Sequence, residues 1–164
     1  MPDFMYVSLK GDDRISTFSI NPDSGKLDLL RDLQVPGGPA PLTLDPERKF
    51  LYAAQRNTQQ VSTFRVDPAN GGLTLMGTSP LEGDPCYLST DRTGRFLLSA
   101  YYFAGHVAVH AIGDDGVAHA PPIEWLSTAT GAHCVQTDSS NRYAFVPHIA
   151  GKGPNAVFQF KFAI

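Results

Sequence analysis

The sequence predicts an all-β protein, and the prediction depends on a repeat, a strand-like hydrophobic pattern and an abundance of turn-forming residues. One motif occurs three times: an Asp, three further residues, a Lys or Arg, and an aromatic residue. Its copies begin at Asp45, Asp91 and Asp138, at intervals of 46 and 47 residues. Apolar and polar residues mostly alternate in four recurring runs, which is the period of a β-strand. These runs are 15–20, 61–66, 107–112 and 157–162.

Each repeat accounts for four short strands in a fixed order. The first strand precedes the Asp of the motif, and we expect these inner strands near 41–44, 87–90 and 134–137. The second strand opens on the aromatic residue of the motif, and the third is the alternating run. The fourth follows a turn such as 21–25 or 67–71, where Asn, Asp, Pro and Gly favour tight turns. No stretch has a helical period.

A unit of about 46 residues with four antiparallel strands is typical of a β-propeller blade. The nearly constant register of the three motif copies argues against a β-sandwich with accidental similarity. We place the blades near 4–35, 39–80, 85–126 and 132–162, within a single partial domain. This is about three and a half blades, since the first lacks its inner strand and the last its outer one. We therefore expect the N-terminal half of a longer protein, able to self-associate through its exposed blade edges.

Composition limits the partners and the compartment. Hydrophobic residues make up 42% of the 164 residues and charged residues 18%, which is typical of a folded soluble domain. The net charge of -3 disfavours nucleic acid and anionic membranes as partners. The N-terminus has no secretory pattern, and no apolar run could span a bilayer. With only two cysteines and no metal-ligand spacing, the sequence favours a cytoplasmic location and predicts no metal site and no cofactor.

The blade topology predicts where chemistry could occur. The loop after each second strand and the entry to each inner strand lie at one end of the blades. His133 is the only imidazole at such a strand entry, where acid–base chemistry near neutral pH is possible. Arg56 follows a second strand and could hold a phosphate or carboxylate. In the next blade we expect one of Tyr101 and Tyr102 to pack and the other to present its hydroxyl.

A fifth candidate, His148, falls on the loop that follows the last second strand. Cys86 occupies the position equivalent to His133, but a small buried thiol is the commoner role for such a residue. The segment 151–154 is similar to a phosphate-binding loop but lacks its Lys-Ser/Thr ending. The basic residues of the motif belong to the opposite end and are expected to be solvated.

The stretches 39–56, 83–96, 102–109, 131–133 and 141–147 resemble the lactonase family of seven-bladed propellers. The likeness covers the whole chain but only half of a family member, which at this period needs about 320 residues. It implies hydrolysis of a small anionic sugar lactone, 6-phosphoglucono-1,5-lactone, in the pentose phosphate pathway without a cofactor. The family's channel histidine is similar to His133, its arginine to Arg56 and its loop tyrosine to Tyr102. The resemblance thus implies catalytic roles for His133 and Tyr102 and substrate binding by Arg56. From their position at the same end of the blades, Tyr101 and His148 are further candidate substrate-binding residues.

Two alternatives stay open from the sequence. The carboxymuconate cyclases, a sister branch of the same fold, imply a cycloisomerase. A propeller that serves only as an interaction platform is the third hypothesis, although the single Trp125 carries no Trp-Asp signature.

Overall fold

The protein forms four antiparallel sheets, one after another along the chain. The computed structural model describes residues 3–149 and 153–163. The first sheet contains β1 (Asp3–Leu9), β2 (Arg14–Ile20) and β3 (Leu27–Gln34). The second contains β4 (Pro39–Leu44), β5 (Phe50–Gln55), β6 (Gln60–Val66) and β7 (Leu73–Pro80). The third contains β8 (Tyr87–Thr90), β9 (Phe96–Tyr101), β10 (His106–Ala111) and β11 (Glu124–Ser127). The fourth contains β12 (Gln136–Thr137), β13 (Tyr143–Pro147) and β14 (Val157–Lys161).

The strands of each sheet follow one another up and down, each paired with its neighbour in sequence. The inner strands β4 and β8 lie against each other, as consecutive blades of a propeller require. β1 is the first strand of its sheet but corresponds to the second strands β5 and β9, and the fourth sheet ends at β14. The only helix among the described residues is a single 3-10 turn at Lys10–Asp12. The predicted all-β, partial propeller fold is confirmed.

The described part of the chain contains no helix that is long and apolar enough to cross a membrane.

The repeated Asp of the motif caps the turn between the first two strands. The Asp45 carboxylate accepts a hydrogen bond from the backbone N–H of Phe50 at 2.6 Å, and that of Asp138 accepts one from Tyr143 at 3.0 Å. Three residues after each Asp the backbone has a positive φ, with Gly94 at 71° and Asn141 at 58°. Gly and Asn adopt this conformation at low cost, so the motif encodes a specific turn.

Hydrogen bonds lower the pKa of the motif Asp in two of these turns. Burial by itself raises the pKa of Asp91, but hydrogen bonds from Thr93 and Asn141 outweigh it and lower that pKa. A hydrogen bond from Ser140 is the main reason that the pKa of Asp138 falls to about 2. Both carboxylates are therefore charged at neutral pH and hold their turns closed.

The core consists of three apolar layers between neighbouring sheets. Strand β5 is buried on both faces, because Leu51 and Ala53 pack toward the first sheet while Tyr52 and Ala54 pack toward the third. A strand covered on both sides must be apolar at successive positions. The Tyr52 hydroxyl donates to the carbonyl of Gly116 at 2.8 Å, which ties the second sheet to the third.

Candidate functional site

Two kinds of segment meet at one end of the inner strands. The first kind is the four-residue loop after a second strand, at 56–59 and 102–105. The second is the entry to an inner strand, and backbone hydrogen bonds join it to the neighbouring strand or loop. The Arg56 N–H donates to Gly38 at 3.1 Å, Cys86 to Ala100 at 2.9 Å, and Ile149 to Gly131 at 3.0 Å. The loops that carry the predicted site residues therefore lie together at this end of the molecule.

The structure brings Tyr102 and His133 together. Their ring centroids are 6.0 Å apart and the ring planes meet at 89°. The Gly131 N–H donates to the carbonyl of Tyr102 at 2.9 Å, and that of His133 donates to Pro147 at 3.1 Å. These bonds hold the histidine beside the tyrosine loop. His133 is exposed and Tyr102 is half-buried, so both polar groups are accessible.

Arg56 lies at the same end, but a carboxylate already holds it. Its Nε and Nη2 donate to the two oxygens of Asp84, the second at 2.8 Å. The hydrogen bond to Asp84 is the main cause that raises the pKa of Arg56. The sequence prediction assigned Arg56 to the substrate and did not identify Asp84. One feature of the sequence could have identified Asp84. It is an acidic residue at a strand entry where the equivalent residues of the other repeats are Gly38 and Gly131.

Cys86 connects this ion pair to the histidine. Its Sγ lies 3.3 Å from the carbonyl oxygen of Ala132 and 3.8 Å from that of His133. Burial raises the pKa of the Cys86 thiol. The positive charge of Arg56 lowers it, but by less than burial raises it. The side chain is therefore a protonated thiol at neutral pH and packs as a small residue. The site runs from Arg56 and Asp84 through Cys86 to Tyr102 and His133.

Tyr101 and His148 do not reach this surface. Tyr101 is 1% exposed; its hydroxyl accepts a hydrogen bond from Ser99 at 3.1 Å, and its ring packs on Trp125 at 4.8 Å. His148 is 4% exposed and packs on the ring of Phe158.

Both ring nitrogens of His148 have partners within the protein. Nδ1 donates to the carbonyl of Val146 at 2.9 Å, and Nε2 lies 3.0 Å from the Thr128 hydroxyl. Tyr101 and His148 hold equivalent positions: each lies at the end of a second strand or directly after it, beside the inner strand. The side chain at this position points into the layer between sheets. Side chains alternate along a strand, so the following residue is the one that leaves the core.

The described residues contain no group of three or more His, Cys, Asp or Glu side chains placed to hold a metal ion.

Comparison with known proteins identifies a family whose model matches this chain. The family model described as Lactonase, 7-bladed beta-propeller, matches residues 8–163. The periplasmic gluconolactonase of Pseudomonas aeruginosa is similar in structure, with a TM-score of 0.82 and 22% identity over 98% of this chain and 50% of that one. A candidate 6-phosphogluconolactonase of Bacteroides fragilis has a TM-score of 0.78 and 25% identity over 90% of this chain and 45% of that one. A second, from Bacteroides uniformis, has a TM-score of 0.77 and 18% identity over 88% and 44%.

No curated protein matches the sequence. The chain spans about half the length of the similar solved structures. The family model, in contrast, covers nearly all of the chain. The chain therefore belongs to the lactonase family of seven-bladed β-propellers.

Proposed function

We propose that this chain carries part of the active site of a sugar-lactone hydrolase. The observation that supports this most directly is the accessible pair of Tyr102 and His133 beside the Arg56–Asp84 ion pair. A lactone carbonyl is already electrophilic, so hydrolysis needs chiefly a base for water and donors for the oxyanion. The pair offers one candidate for each role.

In the proposed reaction, His133 takes a proton from water as the water oxygen attacks the lactone carbonyl. The Tyr102 hydroxyl donates to the oxyanion that forms. When the carbonyl is restored, the bond from the carbonyl carbon to the ring oxygen breaks, and that oxygen receives the proton from His133. The product is the open-chain hydroxy acid, and the histidine returns to its starting state.

The narrower proposal for the substrate is 6-phosphoglucono-1,5-lactone, with Arg56 holding the phosphate. Two similar structures are candidate 6-phosphogluconolactonases, which supports this choice. The second candidate is the unphosphorylated glucono-1,5-lactone. The pairing of Arg56 with Asp84 favours it, because a cation already neutralised attracts a phosphate less strongly.

The test is the hydrolysis of both lactones above the spontaneous rate, with His133→Ala as the variant. Loss of a general base typically lowers kcat about 10²- to 10⁴-fold, and the acidic limb of the pH profile should disappear with it. His119→Ala is the matched control, since His119 is an exposed histidine on the β10–β11 connection, away from Tyr102. Equal rates in His133→Ala and the parent would remove His133 from the mechanism. Conversion of a carboxymuconate to its lactone, with neither sugar lactone hydrolysed, would favour the cycloisomerase instead.

A further inference from the structure

We infer that Asp84 is a specificity-determining residue, which cancels the charge of Arg56 and makes the site select uncharged lactones over phosphorylated ones. The inference rests on the proposed lactone hydrolysis at this site, and of the two substrate candidates given above it selects the second, the unphosphorylated lactone. It follows from the geometry of one ion pair and from its position among the repeats.

The carboxylate of Asp84 occupies one side of the Arg56 guanidinium. Nε and Nη2 both donate to it, so this fork is closed to a ligand. The Arg56 side chain is 26% exposed, and its Nη1 has no partner within the described ranges 3–149 and 153–163. Arg56 therefore keeps Nη1 as a hydrogen-bond donor, but the pair as a whole carries no net charge.

This arrangement suits a neutral oxygen better than a phosphate. A hydroxyl or carbonyl oxygen needs only a directed N–H donor, which Nη1 supplies. A phosphate carries a charge of about -1.5 to -2 at neutral pH. The attraction of Arg56 for it would be reduced by the repulsion of Asp84, whose carboxylate lies on the Nε and Nη2 edge of the same guanidinium. The weakened attraction does not offset the cost of removing water from the charged phosphate, so the neutral lactone is favoured.

Asp84 is particular to one blade, and the local sequence restricts its backbone. The equivalent positions at the other strand entries are Gly38 and Gly131, so only this blade has an acidic residue there. Pro85 follows it, and a residue before proline is restricted to extended backbone conformations. The backbone at Asp84 is therefore restricted, and the two hydrogen bonds from Arg56 orient the carboxylate itself.

The experiment compares the binding of two stable hydroxy acids, gluconate and 6-phosphogluconate, by isothermal titration calorimetry at fixed pH and ionic strength. Both ligands carry a carboxylate, so the ratio of their Kd values isolates the effect of the phosphate. In the unmodified chain we expect 6-phosphogluconate to bind no more tightly than gluconate. In Asp84→Asn the ratio should shift toward 6-phosphogluconate by about tenfold, the effect of one charge acting on a nearby phosphate.

Two variants serve as controls. Asp114→Asn removes the same charge from an exposed residue on the β10–β11 connection and should leave the ratio unchanged. Arg56→Gln leaves Asp84 unpaired and should shift the ratio away from 6-phosphogluconate.

Three results would overturn the inference. One is an Asp84→Asn ratio within twofold of the unmodified chain. Another is an unmodified chain that already prefers 6-phosphogluconate tenfold, a measurement that does not depend on how any variant folds. The third is binding of neither acid, which would contradict the proposed function as well. If both lactones are still hydrolysed, the first two results contradict the role of Asp84 alone.

Discussion

The Asp of the repeated motif should stabilise the protein most where it is buried, and Asp91 is the place to test this. Asp91 is 0% exposed, and its carboxylate accepts five hydrogen bonds. Four come from its own turn: the Thr93 N–H at 3.0 Å, the Thr93 hydroxyl at 2.5 Å, and the N–H groups of Arg95 and Phe96 at 2.9 Å each. The fifth comes from the Asn141 side-chain amide of the neighbouring blade at 2.8 Å.

Asp91→Ala removes every one of these acceptors at once. A buried donor left without a partner costs about 1–3 kcal/mol. Water can reach some of the turn, so we count mainly the Phe96 N–H and the Asn141 amide. The expected loss in the free energy of unfolding is then about 3–5 kcal/mol, a large fraction of the stability of a single domain.

The repeat provides the matched control. Asp138 makes the same turn hydrogen bonds to Ser140, Arg142 and Tyr143, but it is less buried, and the described residues show no bond to it from a neighbouring blade's side-chain amide. Asp138→Ala should therefore cost clearly less. Asn141→Gly keeps the positive φ at that position and removes the side-chain amide. That amide donates to Asp91 and accepts from the Arg92 N–H at 3.0 Å, so this variant isolates the link between blades.

The measurement is urea-induced unfolding, followed by Trp125 fluorescence and circular dichroism at two protein concentrations. The two concentrations separate unfolding from the self-association that we propose for the exposed blade edges. Equal losses in Asp91→Ala and Asp138→Ala would refute the argument, because burial and the bond from Asn141 would then contribute nothing. A loss below about 1 kcal/mol for Asp91→Ala would have the same meaning.

Two further predictions concern the site loop and acid stability. In Gly105→Ala the new Cβ would lie 2.7 Å from the backbone of Ala129 at a φ of 67°, so we expect a loss of about 2 kcal/mol or more, measured by thermal unfolding, and slower lactone hydrolysis. Gly25→Ala is its control, since φ is 68° there but nothing lies within 4 Å; an equal loss would show that the contact is irrelevant. The motif carboxylates of Asp91 and Asp138 have pKa values lowered by folding, so their contribution is complete above the unfolded value of about 4 and is lost as the pH falls toward 2. Urea unfolding at pH 4, 3 and 2 should show this decline, and Asp138→Asn should make it shallower.

The sequence alone was sufficient to predict the fold. The repeated Asp has a local role, since it caps a turn with the backbone of the next five residues, and local roles are visible in a linear pattern. The alternating runs likewise mark strands, because the strand period depends only on neighbouring residues. The sequence also predicted that Tyr102 and His133 lie at the same end of the blades, and the structure brings their rings together there.

Only the tertiary structure decided which side chains reach the site surface. Tyr101 and His148 are as polar as Tyr102 and His133, but the register of their strands turns them into the layer between sheets. The partner of Arg56 was likewise hidden, because Asp84 lies 28 residues away along the chain and meets it only when two blades pack. A periodic sequence determines how each blade is built, since those contacts are local. Contacts between blades depend on the packing of separate sheets, and no short-range pattern in the sequence records them.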